Sequence, residues 1–549
     1  MIKKSSRMTF FLMAIPLTLS TFTHLFNPIG FPCVHYDEGV YMRRAMHVLE
    51  GMGAQDPVNR FDHAQDSSSS YDHPYFGPIF LAGVLGAIGY PKSVTFSSPP
   101  LDALHTVMTL YLVPRILMGV LAIVDTLLIF KIAERRYNRT VAIIASILFA
   151  VMPLSWLTRR IYLDTILMPF LLSSILFALY RANNLSQKYN ASIRVRTLVP
   201  VILSGILLGL AIFTKTPAFA MVAVVGFLIY THNNKNWKVL GLWFIPVILI
   251  PLIWPAYSIW VGQFNEWLNG ALWQGTQRQQ STLVSKEQHQ ILGSFSSILA
   301  MDPVLVAAGI AGVVFVSMKK DFLLLLWLIS FLIFGYLIGW ISYFHFVLVL
   351  PVFCIAVAVL IDAVSKRIRR NKAIQQKLLV FAITLTIGTF GLISTIMLIT
   401  NNFFLTQFGA AAFVAQNMQH ISNYSFDNKA SNENNTNSNN DVTIISSPIY
   451  TWLFTYNFGY SHVFHTRDTS DIKTKKVILI VDAEYRHVLS KIEVEDQNQI
   501  ERLQKIYDRA NTVATFGDTG VRYDFKMYPY TNIRECEISP TTEIQIKAN

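Results

Sequence analysis

The stretch VAIIASILFAVMPLSWLTRRIYLDTILMPFLLSSILFALY, residues 141–180, holds its charges in one place, at Arg159, Arg160 and Asp164. The runs on either side are apolar and long enough to cross a hydrocarbon layer as helices, which takes roughly 17–25 residues. Span, tight turn, span is the pattern of a polytopic α-helical membrane protein. It repeats outward along the chain. Candidate spans are 8–30, 106–131, 141–157, 161–180, 198–214, 216–231, 239–261, 301–317, 322–341, 345–364 and 378–400, about eleven transmembrane helices.

Composition agrees. The chain has 549 residues, 52% of them hydrophobic and only 14% charged, against about 25% charged in soluble domains. The net charge of +12 raises nucleic acid as a partner. The basic residues, however, fall in short inter-span loops rather than in one patch, so no nucleic-acid partner is expected. With Lys3, Lys4 and Arg7 cytoplasmic, alternation puts five loops inside: 134–139, 181–196, 232–238, 318–321 and 365–377. All five are basic. The N-terminal basic run and the long apolar run after it read as an uncleaved first span. The odd number of spans sends the C-terminus outside. The expected location is a prokaryotic plasma membrane. The outward-facing loops are 31–105, the RRIYLDT turn (159–165) and 262–300. Arg159 and Arg160 alone break the charge rule.

Residues 31–105 form the first outer loop, dense in Asp, Glu and His beside a bilayer, where titratable groups are costly. VYMRRAMHVLEGM (40–52) is short and amphipathic and predicts a helix along the membrane surface. FGPIFLAGVLGAIGY (76–90) is too short to span and predicts an interfacial or re-entrant helix. Residues 1–424 are thus one transmembrane domain. The Asn/Ser-rich tract 425–440 is a linker. Residues 441–549 form a small extracytoplasmic α/β domain, with strands expected at 441–447, 475–482, 511–517 and 521–529, and helical character in 448–458 and 483–493. Three cysteines (Cys33, Cys354, Cys536) show no CxxC spacing, and a disulfide cannot be deduced from them.

Several residues carry candidate chemistry. Asp37 and Glu38 are adjacent carboxylates. One could act as general base, or the pair could simply start a helix, where acidic groups favour the dipole. Asp72 and His73 in YDHP could hold a divalent cation or contact a phosphate, or form a surface turn. Arg159, Arg160 and Asp164 place positive charge on the outer face, which a phosphate partner would explain; the alternative is an Arg–Asp pair that satisfies itself. Lys215, in FTKTP at an outer break before Pro217, would complete a cationic pocket, or would only snorkel. Arg115 is an intramembrane charge beside Pro114. Tyr343 and His345 lie at the outer start of a later span. Carboxylates suit deprotonation of an acceptor hydroxyl, and cations suit a departing phosphate. Lipid-facing helices suit a polyprenyl tail. Together they point to glycosyl transfer from a lipid phosphate.

Six motifs in order over residues 30–400 carry a family resemblance: DEGVY (37–41), YDHPYFGPIFLAG (71–83), VPRILMGVLAIVDTLLIFKIAERRYNR (113–139), ILFAVMPLSWLTRRIYLDTILMPFLL (147–172), GLAIFTKTPAF (209–219) and YFHFVLVLPVF (343–353). The chain resembles the GT-C-fold glycosyltransferases, specifically the dolichyl-phosphate-mannose protein mannosyltransferase (family 39) and aminoarabinose-transferase group. The resemblance implies a polyprenyl- or dolichyl-phosphate sugar donor. The acceptor would be a protein hydroxyl, a glycan or a lipid on the outer face. It implies Asp37 as base with Glu38 supporting it or binding the acceptor, and Asp72 as the metal or sugar contact. His73, Arg159 and Lys215 would be phosphate contacts, with Arg160 and Arg115 beside them and Asp164, Tyr343 and His345 in support. A divalent metal is the one cofactor in question; no organic cofactor is implied. Two departures stand out. His73 occupies a position where Lys is commoner, which makes phosphate binding there pH-dependent, since an unperturbed imidazole titrates near about 6.5. The tail does not resemble the β-trefoil insert of the eukaryotic enzymes. Two other classes remain: a transporter or flippase of a lipid-linked sugar, although no internal repeat is visible, and a non-catalytic scaffold that binds through its tail.

Overall fold

The computed structural model describes residues 2–54, 71, 73–90, 103–180, 191–272, 290–338, 341–368, 373–424, 442–460, 462–466, 476–482, 485–486, 497–517 and 544–548. The chain is a mostly helical membrane protein with a small C-terminal sheet. It divides into two compact units. The first comprises Met1–Pro28, Arg44–Gly83 and Arg115–Leu398; the second comprises Ile29–Arg43, Val84–Pro114 and Ile399–Asn549.

The helices run in chain order α1 (Ile2–Leu25), α2 (Tyr36–Leu49), α3 (Phe76–Ala87), α4 (Ala103–Arg136), α5 (Arg139–Val151), α6 (Leu163–Leu179), α7 (Ala191–Thr214), α8 (Met221–His232), α9 (Trp237–Leu249), α10 (Ile253–Trp260) and α11 (Phe264–Leu272). Further helices follow at Gln290–Met301, Pro303–Met318, Leu323–Ile338, Leu350–Ile368, Ala373–Ile399 and Phe404–Tyr424. Among the described residues, four helices are long and apolar enough to cross a membrane by length and composition: Ala103–Arg136, Trp237–Trp260, Tyr343–Arg367 and Leu378–Asn417. Two bent pairs bring this to six: Arg139–Val151 with Pro153–Arg159 at 69°, and Leu292–Met301 with Pro303–Met318 at 114°. Several expected spans coincide with shorter apolar helices, among them Leu163–Leu179, Leu198–Thr214 and Leu323–Ile338. The apolar segment before residue 90 forms the twelve-residue helix α3. The amphipathic segment after Asp37 forms α2, and Val40 to Met46 are buried all round rather than on one stripe.

Within the first unit, close approach of backbones fixes the packing. In α7, a Cβ on Gly209 would meet the Pro246 carbonyl of α9 at 2.6 Å. A Cβ on Gly312 would meet the Ala356 backbone at the same distance. Glycine at a crossing lets helices approach where hydrocarbon offers no driving force of its own. Ser174 Oγ donates to Ser204 O at 2.8 Å, and Ser204 Oγ returns a bond to Ser174 O at 2.9 Å, stitching α6 to α7. Burial is uneven. The Trp237–Trp260 helix is 17% buried in its apolar window, against 72% for Tyr343–Arg367.

The second unit contains a five-stranded sheet in the order β2-β1-β3-β5-β4. The strands are β1 (Val442–Ser446), β2 (Val463–His465), β3 (Lys476–Val481), β4 (Asn511–Phe516) and β5 (Ile544–Ala548). β1 pairs parallel with β2 and β3, while β5 runs antiparallel to β3 and β4. Three of the expected strands form, at 442–446, 476–481 and 511–516; the fourth, 521–529, lies outside the described residues. One face packs Ile445, Val477, Leu479 and Val481 against Leu503 of the helix Gln497–Arg509. On the helix Phe404–Tyr424, Phe413 meets Phe516 with ring centroids 5.6 Å apart. Cover on both faces explains the near-continuous apolar runs of β1 and β3. Asp482, buried at the end of β3, accepts from Ser447 Oγ at 2.6 Å and from Tyr485 N at 2.8 Å. Burial nonetheless raises its carboxyl above the usual range.

Candidate active site

The arginine turn exists because a helix breaks. α5 begins at Asn138, whose side chain accepts from Val141 N at 3.0 Å. It stops at Pro153, which has no N–H to give and starts the 3-10 turn Pro153–Arg159. A break inside a membrane leaves carbonyls and amides that water cannot reach, at about 1–3 kcal/mol each. Side chains from distant helices satisfy three of them. Thr23 Oγ1 donates to Ala150 O, and Thr395 Oγ1 to Val151 O, both at 2.7 Å. Leu154 N donates to Asp302 Oδ2 at 3.4 Å. The other oxygen of Asp302 caps the helix Pro303–Met318 by accepting from Leu305 N at 2.9 Å.

The two arginines on this turn have different partners. Arg159 Nη2 donates to the carbonyls of Phe26 (2.5 Å) and Asn27 (3.0 Å), just beyond the end of α1. Arg115 Nη1 donates to the next carbonyl, Pro28 O, at 3.2 Å. Arg160 Nη1 donates to the hydroxyls of Tyr162 (2.7 Å) and Tyr343 (3.1 Å). Its guanidinium also lies 5.0 Å from the Trp156 ring centre and 5.6 Å from that of Tyr162. All three guanidiniums are buried. Asp164 takes Lys215, Nζ to Oδ2 at 2.5 Å, with both side chains buried. Lys215 sits in extended conformation where α7 ends and the turn Thr216–Ala220 begins. Its ammonium lies 5.1 Å from the Phe344 ring centre.

His345 closes a capping box in the turn Tyr343–Val349, with its Nδ1 accepting from Ser342 N at 3.1 Å. His73, Lys215 and His345 line a cavity of about 40 Å³ together with Phe331, Phe334, Ile338 and Ile341. Cationic and imidazole groups thus share one cavity with an apolar wall.

In the second unit, Asp37 and Glu38 occupy the first turn of α2. Glu38 reaches back, its Oε1 accepting from His35 N at 3.0 Å. Asp37 N donates to His35 Nδ1 at 3.1 Å, and the Asp37 carboxylate lies 4.0 Å from the same nitrogen. Upstream, Val34 N donates to Gln407 Oε1 at 3.0 Å, and Cys33 is disulfide-bonded. Asp72 lies outside the described residues. Among the described residues, no three His, Cys, Asp or Glu side chains gather to hold a metal ion. Sequence reading missed Asp302, Thr23 and Thr395. Only Asp302 left a signal, an Asp-Pro pair heading an apolar run, which is an N-cap pattern.

Residues 57–262 match the sequence model of a family described as dolichyl-phosphate-mannose-protein mannosyltransferase. No curated protein sequence matches the chain. Among solved structures, the archaeal oligosaccharyltransferase AglB from Archaeoglobus fulgidus, in complex with an inhibitory peptide and a dolichol-phosphate, matches with a TM-score of 0.55 at 11% identity, over 94% of this chain and 74% of that one. The same organism's oligosaccharyltransferase, in complex with Zn and sulfate, matches at 0.52 with 11% identity, over 93% and 72%. ArnT from Cupriavidus metallidurans bound to undecaprenyl phosphate matches at 0.50 with 12% identity, over 98% and 97%. The fold is GT-C.

Proposed function

We propose that this GT-C glycosyltransferase moves a mannose-like hexose from a polyprenyl-phosphate donor to a hydroxyl on a protein, glycan or lipid, with inversion. The observation that carries the reading is the cavity lined by His73, Lys215 and His345 against Phe331, Phe334 and Ile338. A polyprenyl phosphate has the same two chemistries, an anionic head and a hydrocarbon tail. The relatives of known structure bound to dolichol-phosphate and undecaprenyl phosphate support the donor class.

In this reading Asp37 takes the proton of the acceptor hydroxyl. The acceptor oxygen attacks the anomeric carbon, and the bond from that carbon to the phosphate oxygen breaks. The electron pair leaves on polyprenyl phosphate, whose charge Lys215, His73, Arg159 and Arg160 offset. Asp164 holds Lys215 in place, and Tyr343 does the same for Arg160. Glu38 keeps the first turn of α2 formed. Arg115 works through the Phe26–Pro28 segment it shares with Arg159. The reading includes the wider layout: residues 1–424 as the membrane domain, 425–440 as a linker and 441–549 as an extracytoplasmic domain. The N-terminus would be cytoplasmic, in the plasma membrane of a prokaryote. A divalent metal, as in the zinc complex of the archaeal enzyme, would fall to Asp72.

The test is transfer by purified protein from synthetic polyprenyl-phosphate mannose, read as release of polyprenyl phosphate. Full activity in Asp37→Asn would remove Asp37 as the base. Movement of donor across proteoliposome bilayers without release of polyprenyl phosphate would overturn transfer itself.

A further inference from the structure

The segment after β1 reaches back to the first turn of α2. Trp452, at the end of the short helix Pro448–Trp452, is 2% exposed. Its indole lies flat against Gly39. A Cβ at Gly39 would fall 3.0 Å from indole Cδ1 and Cε2, and closer still to Nε1. Arg43, one turn further along the same helix face, sets its guanidinium 5.7 Å from the Trp452 ring centre. Tyr111 completes the seat edge-on, with centroids 6.3 Å apart. The indole N–H is buried and has no hydrogen-bond partner among the described residues. A buried donor left so costs about 1–3 kcal/mol, so shape rather than hydrogen bonding holds this ring here. The other end is anchored as well: Ser447, the residue before this helix, is held by Asp482 at the end of β3.

We propose that Trp452 is a positioning residue for the Asp37–Glu38 turn, through which the C-terminal sheet sets the rate of transfer. Gly39 lies directly after the two carboxylates, so the indole fixes the helix at the point where they emerge. Glycine is required there to admit the ring, and Arg43 keeps the ring in register. The inference rests on the reading of Asp37 as base.

The test is a double-mutant cycle in the full-length protein, read both as release of polyprenyl phosphate from synthetic polyprenyl-phosphate mannose and as thermal unfolding midpoint. Gly39→Ala should lower kcat by about tenfold to a hundredfold, the scale of a catalytic group displaced by about 1 Å, with the donor KM little changed. Trp452→Ala should do the same. The pair Gly39→Ala/Trp452→Ala should be no slower than Trp452→Ala alone, because the added methyl enters space the indole has left. Trp452→Phe, which keeps an aromatic face for Arg43, should recover most of the activity. Additive losses in the double variant, unchanged kcat in both single variants, or a rise in KM with kcat intact would each overturn the proposal. Failure of the base assignment reads differently: Asp37→Asn would stay active while the coupling between Gly39 and Trp452 in the unfolding midpoint persisted.

Discussion

The carboxylate of Asp302 and the backbone amide of Leu154 meet at 3.4 Å across 148 positions of chain. Through that bond one side chain serves two broken helices, since it also caps Pro303–Met318. Asp302→Asn keeps one acceptor oxygen for Leu305 and turns an N–H₂ group toward Leu154. The expected result is a modest loss of stability with a fall in kcat of about tenfold or more, because the turn carrying Arg159 and Arg160 loses its tie. Asp302→Ala should add the loss of a helix cap, about 1 kcal/mol. Unfolding midpoints and initial rates on the two variants check both expectations. Equal activity in Asp302→Asn and the parent protein would show that the turn does not depend on this bond.

Lys215 and Asp164 form a buried ion pair, and removing one partner leaves the other charge uncompensated. Asp164→Leu or Lys215→Met alone should destabilise the protein by about 3–5 kcal/mol. The double variant Asp164→Leu/Lys215→Met should regain most of that stability. It should not regain transfer, if the ammonium contacts the donor phosphate. Recovery of both stability and rate would reduce Lys215 to a structural partner of Asp164.

Asp37 and Glu38 differ in what they hold, and their variants should separate. Asp37→Asn should cost about 10²–10⁴ in kcat, the range for a general base, with an unchanged unfolding midpoint. Glu38→Gln keeps the acceptor for His35 N and should be mild. Glu38→Ala should lose about 1 kcal/mol of helix start. Donor-release kinetics alongside thermal melts tell the two residues apart.

The Asp482 carboxyl is held above its usual range because burial disfavours its charge more than Ser447 and Tyr485 favour it. A raised folded-state value means its contribution is fully present below the ordinary carboxylate range and is lost as pH rises through the folded value. The C-terminal sheet should therefore melt at lower temperature as pH rises through that window. In Asp482→Asn this part of the pH dependence should vanish. Differential scanning at a series of pH values, on the full-length protein, measures it. A sheet whose midpoint rises with pH in the parent protein would contradict the sign.

The helices were legible because apolar runs bounded by charge have few other solutions. The strands 442–446 and 476–481 were legible for the same reason, being buried on both faces, and 511–516, half-buried to exposed, was legible from its β-branched residues. β2 escaped notice because three residues carry no period, and β5, although IQIKA alternates cleanly, because its five residues make only a short signal. Partners were the hidden part. Asp164 stands four residues from Arg160 in sequence, yet it takes Lys215, 51 positions away. Arg159 finds its carbonyls 132 and 133 positions back, at Asn27 and Phe26. Such choices depend on which helices come to lie together, and local spacing does not encode that. The same holds for Thr23 and Thr395: nothing in their neighbourhoods marks them as caps for a helix that ends at residue 151.

The unequal burial of the spans has a consequence for how this sequence can change. Side chains on Trp237–Trp260 mostly meet lipid, so almost any apolar replacement there is interchangeable, and natural variants should accumulate freely along it. Tyr343–Arg367 is enclosed by protein, and each change must fit a shape. A library of random substitutions screened for growth or product would sort the two helices without reference to chemistry. The first should accept volume changes and refuse only polarity, while the second should refuse both.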